Sequence, residues 1–389
     1  MHSYPILQLL PGRERSLLNR HPWVYSGALA KKPSADLKSG DIVAITDQKN
    51  HLLGFGHFNQ DASIACRVFH FTQSPIEIDA EFWQKRLQKA WQCRQELGFF
   101  TQENAGYRLF NSEGDGLPGL VADVFGDTVS LQIKTQGMMN LKATIVDFLQ
   151  KSLGLKHIYL KSENSDESGW LLGKKSAVFF EEHGLRFLVD LESGQKTGYF
   201  LDQRDNRKLF GSFANGKHVL DAFSYSGGFG LLALQNGAAK VTSVDASESA
   251  IEICKKTVAT NFKDESRHHT VVANCFDYLR EMPNNEFDLI VLDPPAFAKS
   301  AATVDKAARG YKDINLMALR QIKQGGLLFT FSCSHHISRD LFRKIIFGAA
   351  KDANRPVRIL YQLNQAPDHP IDVFHPEGEY LKGFVLYVG

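Results

Sequence analysis

Two short polar segments of this chain, each following an apolar run, contain the residue types best suited to covalent chemistry. Cys333 follows Leu327–Phe331, and Asp293-Pro294-Pro295-Ala296-Phe297 follows Phe287–Leu292. A thiolate is a strong nucleophile, although a lone thiol at the end of a buried strand is more often a small core residue. Two consecutive prolines cannot continue a central strand, because neither has a backbone N–H. We therefore expect a rigid turn at Asp293 and, if the two strands are neighbours, a thiol that faces the same pocket.

A methyl transfer to carbon 5 of a pyrimidine would use both segments. Carbon 5 is a poor nucleophile, but addition of the Cys333 thiolate to carbon 6 would let it attack a sulfonium methyl group. Asp293 would bond ring nitrogen 3 and stabilise charge there. Pro294, Pro295 and Phe297 would hold the planar base, with Phe297 available for stacking. A purely structural turn is the alternative for this segment, and His335 and His336, which are close to Cys333 in sequence, are more typical of a loop surface than of a catalytic base.

A second region predicts a cofactor site, because a glycine turn at residues 223–228 lies between a strand and a helix. Asp245 ends the next strand, where a carboxylate can accept hydrogen bonds from ribose hydroxyls. Asn274 follows the third strand, where its side-chain amide and nearby backbone N–H groups could bind an adenine edge. The candidate cofactor residues of this region are Asp221, Phe223, Ser224, Tyr225, Ser226, Gly227, Asp245, Ala246, Asn274 and Cys275.

The same turn favours S-adenosylmethionine over a dinucleotide. Ser224-Tyr225-Ser226-Gly227-Gly228 lacks the spaced G-x-G-x-x-G pattern of NAD-binding turns, which disfavours a dehydrogenase. An acidic residue at the end of the first strand, Asp221, suits a ligand with a cationic amino-acid end better than it suits a pyrophosphate. The sequence therefore predicts a sulfonium cofactor.

Regular alternation of strands and helices begins near Lys217 and predicts a mostly parallel sheet with crossover helices. Helices are predicted at Glu248–Asn261 and Asp313–Gln321. The last two strands are joined without a convincing helix, which predicts an antiparallel pair. The predicted strands are His218–Phe223, Lys240–Asp245, His269–Ala273, Phe287–Leu292, Leu327–Phe331, Val357–Leu363 and Gly383–Val388.

The first half of the chain has a different pattern. Short apolar runs separated by glycine, within residues 1–75, suggest a small β-barrel. Trp83, Leu87 and Trp91 recur every four residues and predict an amphipathic helix over Glu81–Leu97. Residues 107–180 are predicted to be mixed α/β, with a hairpin turn at Gly126-Asp127 and a helix over Met139–Lys151.

Composition narrows the class of protein. The chain has 389 residues, of which 43% are hydrophobic and 23% charged, which is typical of a soluble globular protein with two or three domains. It lacks an apolar run of ~18 residues that could span a bilayer. The five cysteines are scattered and never form a CxxC pair, so we expect no disulfide framework, no metal site and a cytoplasmic location. The net charge of +2 permits nucleic-acid binding without demanding it.

Taken together, these segments resemble the ribosomal large subunit methyltransferase I family over nearly the whole chain. The resemblance includes Pro11–Gly27 near the N-terminus, Glu181–Phe187 in the middle and Gln195–Arg207 before the glycine turn. It implies a Rossmann-like class I methyltransferase domain with a seven-stranded sheet (residues 186–389), an N-terminal PUA β-barrel that binds RNA (residues 1–75) and a small α+β central domain (residues 76–185).

The resemblance also implies an activity, namely formation of 5-methylcytosine in 23S rRNA from S-adenosylmethionine, and a homodimer. Gln195, Thr197 and Arg204 would line the cofactor pocket, Cys333 would be the nucleophile, and Arg13, Arg15 and Arg20 could contact phosphates. Asn274 departs from the family, in which aspartate is common at this position. Two alternatives stay open: methylation of another base atom, such as a guanine ring nitrogen, without a thiol, and a non-catalytic RNA-binding factor for ribosome assembly. The sequence does not identify the modified nucleotide or the general base. It also does not decide between naked 23S rRNA and an assembling large subunit as the substrate.

Overall fold

The computed structural model describes residues 4–99, 101, 105–162, 167–194, 196–263, 265–298 and 300–389. Within these ranges the chain divides into two compact units. The first contains the described parts of Met1–Val178, Leu191–Gly198 and Pro367–Gly378, and the second contains those of Phe179–Asp190, Tyr199–Ala366 and Glu379–Gly389. The boundaries of the three predicted domains stay a prediction.

The first unit begins with a small sheet that confirms the predicted N-terminal β structure. Its strands are β1 Ile6–Gln8, β2 Trp23–Tyr25, β3 Ile42–Thr46, β4 Leu52–Phe58 and β5 Ile64–Phe71, with the short helix α1 Arg15–Leu18 between β1 and β2. They pair in the order β1-β3-β4-β5-β2. A bridge between Leu9 and Leu29 joins the segments that follow β1 and β2, so the two edges of the sheet are tied together. Alternating side chains of the strands, such as Val43 and Ile45, fill the interior.

The rest of the first unit is α+β. Its helices are α2 Ala80–Glu96, α3 Gln136–Asn140 and α4 Lys142–Lys151, and its strands are β6 Gly106–Asn111, β7 Leu120–Phe125, β8 Thr128–Ile133, β9 His157–Leu160 and β10 Gly169–Leu172. The strands pair in the order β10-β9-β8-β7-β6. Trp83 and Leu87 form the buried face of α2, as their spacing predicts. The single helix predicted over Met139–Lys151 is instead two helices that meet at Leu141.

The second unit is built on a mostly parallel sheet, which confirms the predicted fold class. A hairpin of β11 Val178–Glu182 and β12 Leu185–Val189 precedes it. Seven described strands form the sheet: β13 His218–Ala222, β14 Lys240–Asp245, β15 His268–Val272, β16 Leu289–Leu292, β17 Gly326–Ser332, β18 Val357–Asn364 and β19 Lys382–Val388. Their order is β15-β14-β13-β16-β17-β19-β18. As predicted, β18 and β19 are antiparallel.

Helices connect and cover these strands. They are α5 Arg204–Ser212, α6 Gly228–Gln235, α7 Glu248–Asn261, α8 Cys275–Glu281, α9 Val304–Gln321 and α10 Arg339–Ala353. Every residue of β16 is buried, which explains its continuous apolar sequence, since a strand in the middle of a helix-covered sheet contacts core on both faces. None of the described helices combines the length and the apolarity needed to cross a bilayer.

Candidate active site

The order of the strands places the candidate residues at one edge of the sheet. β13 pairs with β14 on one side and with β16 on the other, all parallel, so the direction of the winding reverses between β13 and β16. Open sheets bind their ligands outside the carboxyl ends of the strands at such a switch point. The glycine turn follows β13, Asp293 follows β16 and Cys333 follows β17, so all three lie at this edge.

The turn after β13 holds its backbone in a strained form. Phe223 and Tyr225 have φ of 61° and 48°, in the left-handed region that non-glycine residues seldom adopt, and Gly227 has φ of 81°. A Cβ at Gly227 would collide with Sγ of Cys254, and one at Gly228 would lie 2.9 Å from the hydroxyl of Tyr199. Only glycine therefore fits at these two positions without displacing a neighbouring side chain.

Asp221 is buried beneath this turn and accepts a hydrogen bond from the backbone N–H of Gly230 at 2.9 Å. Burial, together with the nearby carboxylates of Asp293 and Asp245, raises the pKa of its carboxyl to about 7, although the hydrogen bond from Gly230 and the charge of Arg207 act in the opposite direction. A carboxyl group in these surroundings gains from a cationic ligand, because the cation offsets both the burial and the neighbouring negative charges.

Arg207 does not supply that cation. Its guanidinium forms two hydrogen bonds of 2.6 Å to the buried carboxylate of Glu182 and a third, of 2.8 Å, to the carbonyl of Phe200. These bonds hold α5 against the β11–β12 hairpin, with Tyr199 stacked on the guanidinium at 4.7 Å. Arg207 is therefore a structural support of the turn.

Asp245 at the end of β14 is joined to the glycine turn. Its Oδ2 accepts a hydrogen bond from the N–H of Tyr225 at 2.9 Å, and its Oδ1 accepts one from Ser247 at 2.8 Å. A carboxylate has about four acceptor positions, so both oxygens can still accept from ribose hydroxyls. Ala246 follows on the exposed side, and Ser224 and Ser226 are buried within the turn.

The turn after β15 contains a structural thiol. Sγ of Cys275 accepts a hydrogen bond from the N–H of Phe223 at 3.3 Å and donates one to the carbonyl of Val244 at 3.5 Å. Burial raises the pKa of this thiol to about 12, so it stays protonated. Asn274 is exposed and caps α8, accepting from the N–H of Phe276 at 2.9 Å. Its side-chain oxygen has a second lone pair available for a ligand.

Asp293 and Cys333 meet at the Asp-Pro-Pro turn. Oδ1 of Asp293 accepts a hydrogen bond from Nε2 of Gln203 at 3.0 Å, and Sγ of the half-buried Cys333 donates to the carbonyl of Pro294 at 3.7 Å. Pro294 is buried and Pro295 is exposed. The sequence did not single out Gln203, although it lies within the Gln195–Arg207 segment that carries the family resemblance.

Phe297 has less free surface than the stacking hypothesis assumes. Its ring centroid lies 4.5 Å from that of Tyr311 and 5.6 Å from that of Phe276. The ring is therefore part of an aromatic cluster, and only its exposed portion is available to a base.

The three remaining candidates for the cofactor pocket are Gln195, Thr197 and Arg204. Gln195 lies outside the described residues. Thr197 belongs to the first unit, where its buried hydroxyl donates to Oδ2 of Asp123 at 2.5 Å. Arg204 is buried at the first turn of α5 and its Nε contacts Oδ1 of Asp205 at 3.3 Å. None of these observations assigns the three residues to the cofactor.

Comparison with known proteins agrees with this geometry. A PUA-like domain model matches residues 7–71, and an S-adenosylmethionine-dependent methyltransferase model matches residues 135–375. Ribosomal RNA large subunit methyltransferase I of Pseudoalteromonas atlantica is 39% identical over 391 residues, covering 98% of each chain. The protein of the same name from Escherichia coli O157:H7 is 40% identical over 396 residues, covering 98% of this chain and 99% of its own. The chain belongs to the ribosomal RNA large subunit methyltransferase I family.

Solved structures show the same fold for this family member. A candidate S-adenosylmethionine-dependent methyltransferase from Streptococcus mutans has a TM-score of 0.85 at 24% identity, covering 99% of this chain and 100% of its own. A second solved structure, of a candidate methyltransferase complexed with S-adenosylhomocysteine, gives the same values.

The site fits S-adenosylmethionine, the cofactor of the family. The hydroxyl of Ser224, buried in the turn, has no hydrogen-bond partner among the described residues, and Asp221 gains from a cation. Among the described residues, no group of three or more His, Cys, Asp or Glu side chains is arranged to hold a metal ion.

Proposed function

We propose that this methyltransferase acts on carbon 5 of a cytosine in 23S rRNA through a covalent bond between Cys333 and carbon 6 of the base. The observation that carries the proposal is the contact between Sγ of Cys333 and the carbonyl of Pro294. It supports the proposal because it holds the thiol against the Asp-Pro-Pro turn, at the edge of the sheet that also carries Asp221 and Asp245, the candidate cofactor residues. The names of the relatives and the PUA-like match support ribosomal RNA as the substrate.

S-adenosylmethionine would supply the electrophilic methyl group to carbon 5 and leave as S-adenosylhomocysteine, whose sulfur keeps the electron pair of the broken S–CH3 bond. The thiolate of Cys333 donates an electron pair to carbon 6 of the cytosine, and the electrons of the 5,6 double bond make carbon 5 nucleophilic. Once carbon 5 carries the methyl group, a base removes its proton. The electrons of that C–H bond restore the double bond and expel Sγ as thiolate, so Cys333 is regenerated.

Asp293 is suited to hold the base during this cycle. Addition of sulfur to carbon 6 makes ring nitrogen 3 more basic, and a carboxyl group beside it can share a proton with it. Gln203 holds the carboxylate, and its own oxygen accepts a hydrogen bond of 2.6 Å from Asn206. Nδ2 of Asn206 also donates to the carbonyl of Asn364 at 3.0 Å. The amide of Gln203 is therefore bonded at both ends, which helps to hold Asp293 in one orientation.

The cofactor would be held by the glycine turn and the two acids next to it. Asp245 would bind the ribose hydroxyls, Asp221 would favour the cationic amino group, and the oxygen of Asn274 would accept from the adenine amino group. Phe223, Ser224, Tyr225, Ser226, Gly227, Ala246 and Cys275 would line the pocket, with Cys275 acting through its hold on the turn. Gln195, Thr197 and Arg204 stay proposals from the family resemblance.

The RNA would be bound mainly through its phosphates, with the target base flipped into the pocket. Flipping a base out of a helical region costs a few kcal/mol. Arg13, Arg15 and Arg20 are exposed in the PUA-like part of the chain and could contact phosphates. An assembling large subunit could serve as substrate in place of naked 23S rRNA. The homodimer and the cytoplasmic location stay predictions.

Replacement of the nucleophile tests this function. With a 23S rRNA transcript as substrate, Cys333→Ala should lower the rate of methyl transfer on the order of 10³-fold or more, because the covalent route is lost. Cys93→Ala is the matched control, since Cys93 is also half-buried, lies on α2 of the first unit and has no role in the proposed chemistry. The product nucleoside should be 5-methylcytosine. Near-normal transfer by Cys333→Ala, or a methylated guanine as product, would favour the route without a thiol.

A further inference from the structure

Lys382 is a buried lysine beside the proposed nucleophile. It begins β19 and lies opposite Ser332, the residue before Cys333, in the antiparallel pair of β17 and β19. Its side chain is only 3% exposed. Its Nζ donates hydrogen bonds to the carbonyls of Ser334 at 2.7 Å and Ile337 at 2.5 Å. The ammonium group is therefore anchored to the segment that follows Cys333.

The hydrogen bonds of this lysine do not neutralise its charge. Both acceptors are backbone carbonyls, and burying an ammonium group is costly unless an anion is close. Burial lowers the pKa of Lys382 to about 8, whereas a negative charge on Cys333 acts to raise it. The thiolate of Cys333 would therefore supply the missing anion.

The other charged or titratable groups around Lys382 leave this role to Cys333. Arg339 on α10 lowers the pKa of Lys382 and Glu379 raises it, and the two form an ion pair with each other at 3.1 Å. Tyr311 on α9 is kept neutral by burial, which raises its pKa. Among the groups that act on Lys382, Cys333 comes directly after burial in the size of its effect.

The backbone next to Cys333 is held rigid by the same surroundings. Ser334 is fully buried, and its hydroxyl contacts that of Tyr311 at 2.9 Å and accepts from the N–H of Ala298 at 3.1 Å. With β19 paired on the other side, the position of the Lys382 ammonium relative to the thiol is fixed by the fold. His335 and His336, in contrast, are both exposed.

We propose that Lys382 is a positioning residue that keeps Cys333 in its thiolate form, the form that attacks carbon 6. The inference rests on the proposed function, because it explains how the nucleophile of that reaction is activated. When the thiol loses its proton to solvent, the ammonium across the strand pair balances the charge left on sulfur. The same ammonium would stabilise Sγ as the leaving group at the end of the cycle.

The pH dependence of Cys333 alkylation tests this inference on the full chain, without RNA. We expect iodoacetamide to label Cys333 in the wild type with a midpoint below ~8.5, the value of an unperturbed thiol. In Lys382→Met the midpoint should rise by at least about one pH unit, which is about tenfold slower labelling at pH 7. Lys382→Arg, which keeps the charge, should stay close to the wild type. Mass spectrometry of the labelled peptides separates Cys333 from Cys93, which serves as the internal reference.

Lys323→Met is the matched control, because Lys323 precedes the other end of β17 and pairs with Asp288 at 2.9 Å. Calorimetric binding of S-adenosylmethionine shows whether each variant is folded. A wild-type midpoint at or above ~8.5, or a folded Lys382→Met with the wild-type midpoint, would overturn the inference. If Lys382→Met does not fold, the midpoints of alkylation of the wild type and of Lys382→Arg test the inference, and both should lie below ~8.5. Alkylation of Cys333 does not depend on methyl transfer. Activity retained in Cys333→Ala would therefore reject the proposed function without deciding whether Lys382 lowers the pKa of the Cys333 thiol.

Discussion

At the scale of single residues, the side chains of the site differ in how well the sequence predicts their positions. Asp245 ends a predicted strand, and Asp293 and Cys333 closely follow two others, so their shared edge of the sheet could be predicted. The position of Lys382 could not, because it depends on the pairing of β19 with β17, and Lys382 lies opposite Ser332, far away in sequence. The structural use of the Cys275 thiol also depends on turns that meet only in the folded chain.

A pH-dependent stability of the cofactor-free protein is expected from Asp221. Its folded-state pKa is raised from 3.8 to about 7, so the native state holds a proton that the unfolded state releases. The resulting stability is fully present below the unfolded pKa and is lost as the pH rises through about 7. Asp221→Asn keeps an oxygen for the Gly230 N–H and should therefore raise the melting temperature more at pH 8 than at pH 5.

Two measurements on Asp221→Asn give the size of the stability gain and the accompanying loss of affinity for S-adenosylmethionine. The free energy of unfolding of Asp221→Asn minus that of the wild type should be larger at pH 8 than at pH 5. The expected difference is about 2–3 kcal/mol, because one pKa unit corresponds to about 1.4 kcal/mol. Asp221→Asn should also bind S-adenosylmethionine more weakly in calorimetry, since the cation loses its partner. An equal gain at both pH values would contradict the assigned role of Asp221.

At the scale of secondary structure, strands were predicted better than helices. β16 and β17 are mostly apolar and mostly buried, which is typical of strands that contact core on both faces. α10 was not predicted, although Ser338 caps it and Phe342, Ile345, Ile346 and Ala349 are spaced along one face. The break between α3 and α4 was missed because Leu141 itself has no helix-breaking side chain.

The turn between β13 and α6 makes a specific prediction about glycine. Gly227→Ala should lower the melting temperature more than Gly216→Ala does. Both have positive φ, of 81° and 68°, which costs roughly 1–2 kcal/mol for alanine, but a Cβ at Gly216 has nothing within 4 Å. At Gly227 the collision with Cys254 adds about 1–3 kcal/mol.

A second substitution checks that cause. Cys254→Ala in the Gly227→Ala background should restore part of the lost melting temperature, because it removes the sulfur that the new Cβ meets. Binding of S-adenosylmethionine should be weakened in Gly227→Ala and normal in Gly216→Ala. Equal losses of stability in the two glycine variants would show that the backbone conformation, and not the packing under the turn, is responsible.

At the scale of the whole molecule, the change of pattern near Lys217 predicts where the alternation of strands and helices in the mostly parallel sheet begins, and β13 starts at His218. The first unit nevertheless includes Pro367–Gly378, from the connection between β18 and β19. There the carbonyl of Asp368 accepts from Arg94 at 2.9 Å, and its carboxylate accepts from the N–H of Arg108 at 2.9 Å. The inclusion of this segment in the first unit leaves no periodic pattern in the sequence, because it depends on single buried polar contacts.

RNA binding by the PUA-like part should be electrostatic. Arg13, Arg15 and Arg20 are all exposed, and the guanidinium of Arg20 also lies 5.9 Å from the ring centre of Phe71. Replacing Arg13 and Arg15 by alanine should weaken binding to a 23S rRNA fragment and lower the slope of log K against log salt by about one for each phosphate that is no longer neutralised. Lys85→Ala is the control, because Lys85 is exposed and already paired with Glu81. An unchanged slope in the double variant would place the RNA elsewhere.

The covalent step is the central claim, and a trapped adduct tests it most directly. Wild-type protein is incubated with S-adenosylmethionine and 23S rRNA that contains 5-azacytidine, whose ring has no carbon-5 proton to remove, and the cross-linked peptide is sequenced by mass spectrometry. We predict one nucleotide attached to Cys333, and no adduct in Cys333→Ala. An adduct on another residue, or active enzyme that methylates normal RNA but forms no adduct with the analogue, would contradict the covalent mechanism.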